Sequence, residues 1–123
     1  MKRIIIICEG QTEQEFCKKV LMDPFSAKQI TIQPPTIKKS GGGIVSWNVL
    51  KKEVEIHLKK DRTAIVTPLI DYYGIHEKLG FPGWAKAQLV VDKIERMDYL
   101  ESCMRSVDHP TRVSLDYFFI RKA

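Results

Sequence analysis

Residues 4–7 are four consecutive isoleucines, and the run closes with Cys8, Glu9 and Gly10. A stretch this apolar has no polar face to offer water. β-branched side chains in a short run ended by glycine predict a strand buried on both faces, as in a parallel sheet. Such a strand needs helices above and below it, which commits the chain to an α/β architecture. Glu9 then stands at the strand's carboxyl end, the edge at which open α/β sheets hold their ligands. Thr12 and Glu15 have the spacing of a capping box and predict a helix from about Glu13.

The rest of the chain alternates. The first helix is expected over residues 13–22, with Phe16, Val20 and Leu21 turned to the sheet and Pro24 stopping it. Residues 30–33 read as a short strand ended by Pro34 and Pro35, which cannot donate to a ladder. Lys38 and Lys39 precede three glycines in a basic loop. It lacks the Gly-Lys-Ser or Gly-Lys-Thr ending of a triphosphate cradle, so it reads as a mobile loop with contact to a nucleic-acid backbone as a second use. Trp47, Leu50, Val54 and Leu58 then recur at three or four and mark an amphipathic helix, with His57 among its charges.

Residues 63–70 form a second apolar strand in which Pro68 predicts a bulge or the strand's upper end. Asp71 follows it, before Tyr72, Tyr73 and Gly74; the tyrosines read as packing on the loop rather than stacking on bases. Residues 75–83 carry loop chemistry anchored by Phe81 and Trp84. A long helix is expected over residues 84–106, striped by Val90, Ile94, Met97, Leu100 and Met104. Residues 112–120 alternate as a last strand, with Ser114 and Asp116 on its polar side. This succession predicts one domain over residues 1–123: a three-layer α/β fold around a mainly parallel sheet of about four strands.

A net charge of +5 mildly favours polyanionic partners. Cys8, Cys17 and Cys103 are an odd number without paired spacing, which argues against a disulfide framework or a zinc ribbon, and Cys8 and Cys17 read as small core residues. No signal peptide or membrane-length apolar run is visible, so a cytoplasmic protein is expected. A flavodoxin-like or dinucleotide-binding reading is weak because no Gly-x-Gly-x-x-Gly follows the first strand.

Parallel strands expose their carboxyl ends on one rim, so Glu9 and Asp71 are expected to converge. Neighbouring carboxylates repel, and a shared divalent cation is the usual remedy. Oxygen ligands suit Mg²⁺ or Mn²⁺, which would also bring phosphodiester substrates within reach.

At these residues a family resemblance emerges. Cys-Glu-Gly-Gln-Thr-Glu at 8–13 with Phe16 following, the glycine triplet before Trp47, Leu-Ile-Asp-Tyr-Tyr-Gly at 69–74 and Phe-Pro-Gly at 81–83 resemble a bacterial family of Toprim-like proteins, nuclease-type relatives of which often sit beside an ABC-type ATPase in phage-defence cassettes. The resemblance covers roughly residues 1–100. It implies a Toprim-like fold and a Mg²⁺-dependent nuclease acting on RNA or DNA. Glu9 and Asp71 become the metal ligands, Glu13 an assisting acid, and Lys38, Lys39, Lys51 and Lys52 contacts to phosphate.

The chain departs from the pattern at two places. Tyr73 replaces the second acid of the usual Asp-x-Asp, and Tyr-Phe-Phe-Ile-Arg-Lys at 117–122 stands where relatives carry a His-Glu-Phe-Glu-like segment. The resemblance therefore implies either a fragment or a shortened paralogue, truncated at the C-terminus relative to the family, or a metal site completed differently. The alternative reading is a non-catalytic interaction module, or remnant, that binds the partner ATPase.

Overall fold

Four strands, β1 (Lys2–Cys8), β2 (Ile30–Gln33), β3 (Ile65–Asp71) and β4 (Phe118–Ile120), form one parallel sheet in the order β2-β1-β3-β4. A computed structural model of the chain describes residues 2–37, 45–71, 75–108 and 118–120. Lys38, Lys39, Tyr72, Tyr73 and Asp116 lie outside the described residues.

The isoleucine run divides by parity, as successive strand residues must. Ile5 and Ile7 pack with Leu50, Val54 and Leu58 of α3 (Trp47–Lys60) and with Met97, Leu100 and Met104 of α5 (Lys93–Asp108). Ile4, Ile6 and Cys8 meet Cys17, Leu21, Met22 and Phe25 on the opposite face. At about 1.5–3 kcal/mol per buried isoleucine, burial outweighs the roughly 1 kcal/mol span of strand propensity in fixing this segment. The expected three-layer α/β architecture is the one observed.

The helix on that second face begins at Gln11, not Glu13. It runs as α1 (Gln11–Phe16), a π turn (Cys17–Leu21) and α2 (Met22–Ala27), and ends at Gln29 in the left-handed region. Its cap is Gly10 in place of Thr12. The Gly10 amide donates to Glu13 Oε1 at 3.0 Å, while Glu15 sits on the surface facing Lys19. Pro24 does not stop the helix. It follows the π turn, where the Met22 amide already bonds to Cys17 five residues back, so the ladder is shifted before the proline removes a donor. Phe16 and Val20 are 46% and 52% exposed. Their row lies about 100° round the helix from the Cys17–Leu21–Phe25 row that meets the sheet.

β2 matches the sequence expectation, and its register with β1 carries through both prolines to a further bridge between Cys8 and Thr36. β3 also runs straight through Pro68, which pairs with Ile7 in unbroken register and is fully buried. The expected bulge is absent on the β1 side, and among the described residues β4 pairs with β3 from Leu69 to Asp71.

The helix expected over residues 84–106 is broken into α4 (Trp84–Ala87) and α5. Val90 and Val91 disfavour helix through their branched Cβ, and Asp92 Oδ2 caps the Glu95 amide at 2.9 Å. Arg96 donates back to the carbonyls of Val90 and Val91, which holds the break. Ile94 is consequently exposed, and the stripe is carried by Met97, Leu100 and Met104 alone.

At the amino edge of the sheet Arg3 grips Asp61 in a two-pronged pair at 2.6 and 2.9 Å, tying the end of α3 to β1. Asp61 also accepts from the Thr63 hydroxyl and from the Thr63 and Ala64 amides. Burial acts to raise the Asp61 carboxyl, but the Thr63 bonds, Arg3 and the Ala64 amide outweigh it, and the pKa lies below its ordinary value. A carboxyl lowered on folding contributes stability above its unfolded pKa, and that contribution is lost as pH falls through the folded value. Asp61→Asn is therefore expected to be less stable than the parent near neutrality, with the gap closing as pH drops below 3.8; denaturant titrations across the acid range check this.

Gly83, the α4 cap, has φ 77°, and a Cβ there would fall 2.5 Å from Cys103 Sγ and 3.2 Å from Tyr99 Cε1. Gly83→Ala is expected to cost about 2–4 kcal/mol in chemical unfolding, from backbone strain plus overpacking against α5.

Candidate functional site

The chain leaves β1 for β2 on one side and later passes β1 again to reach β3 on the other. β1 and β3 are thus the neighbours at which the strand order reverses. The helices after them depart to opposite faces, α1 to one and α4 and α5 to the other, and this reversal point is where open α/β sheets place their ligands. Glu9 is the first residue past β1, and Asp71 is the last of β3. Cys8 pairs with Leu69, so one further step of that register brings Glu9 level with Ile70, one position short of Asp71. The two acids stand on adjacent strands at the same rim.

The backbone below Glu9 is held on one side by the segment after β2. Cys8 N donates to Pro35 O at 2.8 Å, and Ile37 N donates to Cys8 O at 3.0 Å. Gln14 Nε2 reaches Pro34 O at 2.8 Å, so the first helix is tied to the same segment. Glu9 itself is only 6% exposed, at an edge where Ile37, Ile75 and Phe81 are also buried. Trp47 and Phe81 pack ring to ring at 5.7 Å, joining the start of α3 to the loop after β3.

α3 ends beside Arg3 at the amino edge, so its N-terminus lies at the carboxyl rim, as does that of α1. Two helix N-termini at one rim favour anions there, phosphate groups included. Lys51 is half-buried and Lys52 exposed in the early turns of α3. Glu13 lies four residues beyond Glu9, but its carboxylate is turned to the Gly10 amide and works as a helix cap.

Glu9 and Asp71 are hard oxygen donors, which suits Mg²⁺ or Mn²⁺. Among the described residues no cluster of three His, Cys, Asp or Glu side chains is gathered for a metal. A cation of this class is commonly held by one or two carboxylates, with its remaining positions left to water and substrate. Burial, then Cys17 and Glu13, push the Cys8 thiol up to about 12.

The family described as a domain of unknown function, DUF4276, matches residues 8–118. The chain belongs to the DUF4276 family. No match to it was found among the curated proteins or among the solved structures. The matched span of this DUF4276 chain opens at the end of β1 and takes in Glu9, Asp71 and both helix N-termini of the rim. Among its described residues no helix is long and apolar enough to cross a membrane.

One arrangement had no signal in the sequence. Cys8 and Cys17, nine residues apart, bring their sulfurs within 4.0 Å beneath the rim. Only the angle at which the helix crosses β1 decides that meeting, and spacing alone does not encode it.

Because Glu13 caps α1, Glu13→Ala is expected to lower stability by about 1 kcal/mol, while Glu13→Gln, which keeps an acceptor, loses less than half of that. Urea unfolding of the two variants measures the difference.

Proposed function

We propose that this DUF4276 chain is a Mg²⁺-dependent, Toprim-like nuclease that hydrolyses phosphodiester bonds in RNA or DNA, acting in phage defence beside an ABC-type ATPase. The observation that carries the reading is the placement of Glu9 and Asp71 on the two strands flanking the reversal point of the sheet, at one carboxyl rim. The resemblance of residues 8–13 and 69–74 to nuclease-type Toprim motifs assigns the same two acids to a cation. The net charge of +5 and the two helix N-termini support a polyanionic substrate.

In this reading Glu9 and Asp71 hold the cation. When bound, it supplies Lewis acidity and an activated water for attack on phosphorus. Lys51 and Lys52 offer contacts to the phosphate backbone from α3, and Lys38 and Lys39 are assigned the same task. The amide edge of α1 favours the substrate's negative charge, and Glu13 keeps that helix start in place through Gly10. Trp47 and Phe81, packed ring to ring, join the start of α3 to the loop after β3.

A second reading has its own support. Tyr73 occupies the place of the second acid, and Glu13 is engaged in capping, so the described carboxylates near the rim are few. A non-catalytic module that docks on a partner ATPase would keep the fold and dispense with the cation. The two readings part in a cleavage assay on labelled tRNA, single-stranded RNA and DNA with Mg²⁺ or Mn²⁺. The nuclease reading expects metal-dependent cleavage that falls at least about a hundredfold in Glu9→Gln and in Asp71→Asn, since loss of a metal ligand removes several kcal/mol of transition-state stabilisation. Cleavage indifferent to both substitutions would remove these residues from the site. No cleavage of any substrate, with intact binding to an ATPase, favours the module.

A further inference from the structure

Cys8 ends β1 and Cys17 opens the π turn; both are fully buried, and their Sγ atoms stand 4.0 Å apart. The Cys8 backbone is fixed by its bonds to Pro35 and Ile37. Cys17 sits in the one stretch of its helix that carries an extra residue per turn, where Met22 N–H bonds to Cys17 O. A π turn is a rare single-turn widening inside a helix, found most often at functional sites.

From this geometry we infer that Cys8 and Cys17 form a reversible intramolecular disulfide that locks the strand-to-helix turn bearing Glu9. The sulfurs must approach by about 2 Å to reach the bonded distance of about 2.05 Å, a movement the π turn is placed to supply. The ring so closed runs through Glu9, Gly10 and Glu13, so oxidation acts directly on the carboxyl rim.

The co-reactant is a peroxide. One thiolate attacks a peroxide oxygen, the O–O bond breaks, and the sulfur becomes a sulfenic acid as the first water leaves. The second thiolate attacks that sulfur, forming the S–S bond and expelling the hydroxyl as a second water. Two thiols and one hydrogen peroxide thus give one disulfide and two waters, and a dithiol reverses the change. Both sulfurs are covered by the helix, so the reaction waits on local opening of that helix and is slower than oxidation of the half-buried Cys103 on α5.

The crosslink stands or falls independently of any metal at the rim, because it is read by mass. The folded chain and its Cys103→Ser variant would be treated with hydrogen peroxide, quenched in denaturant with an alkylating agent and mapped by peptide mass spectrometry. Amide exchange would be followed in parallel. The expected result in both proteins is a peptide pair joined through Cys8 and Cys17, two hydrogens lighter than the reduced pair and released by dithiothreitol. Exchange at residues 10–12 should slow at least about tenfold on oxidation. Recovery of both cysteines as free thiols after exposure to peroxide for at least about ten times as long as full oxidation of Cys103 takes overturns the inference. So does a crosslink that leaves the exchange of residues 10–12 unchanged.

Discussion

The fold depends on one strand having no face to spare. β1 is hydrogen-bonded to β2 on one side and β3 on the other, and its side chains feed two separate cores, Ile5 and Ile7 above, Ile4, Ile6 and Cys8 below. Removing either layer would expose isoleucines at about 1.5–3 kcal/mol each, so the helices on both faces are obligatory. Once they are present, they must leave the strand ends in opposite directions. The reversal point over β1 and β3 is a consequence of that requirement and needs no further design.

Glu9 inherits its position from the same constraint. It is the first residue after a strand whose end is clamped by Pro35 and Ile37, and it precedes a glycine whose amide is taken by Glu13. The two layers are unequally covered. α3 and α5 share one face, whereas the helix of residues 11–27 has the other to itself. Beyond that helix an apolar cavity of about 280 Å³ opens among Ile4, Ile6, Leu21, Phe25 and Leu69. The carboxyl rim is therefore tied by hydrogen bonds, while the flank beside it is not fully packed.

How much of this could be read from the residues follows from which forces are local. The strands over 30–33 and 65–71, the α3 stripe of Trp47, Leu50, Val54 and Leu58, and the parallel α/β order were legible because hydrophobic periodicity records burial directly. The first helix was misphased. The capping box of Thr12 and Glu15 fits the spacing as well as Gly10 and Glu13 do, and the contest is settled by where β1 releases the chain. Pro24 was read as a stop because a π turn leaves no mark in composition. The break between α4 and α5 was written in Val90, Val91 and Asp92, but the residues that seal it, Arg96 folding back onto two carbonyls, act at a distance that periodicity does not see. At the rim, the carboxyl-end position of Glu9 and Asp71 was legible from strand order. The capping duty of Glu13 and the meeting of Cys8 with Cys17 required three dimensions.

The central claim is that Glu9 and Asp71, on neighbouring parallel strands, share one hard cation. Anomalous diffraction from a Mn²⁺-soaked crystal tests it most directly. The account predicts a single strong peak within coordination distance, about 2.0–2.3 Å, of a carboxylate oxygen from each residue, and its loss in Glu9→Gln. Saturating Mn²⁺ with no peak at the β1–β3 rim, or a peak that touches neither acid, would contradict it.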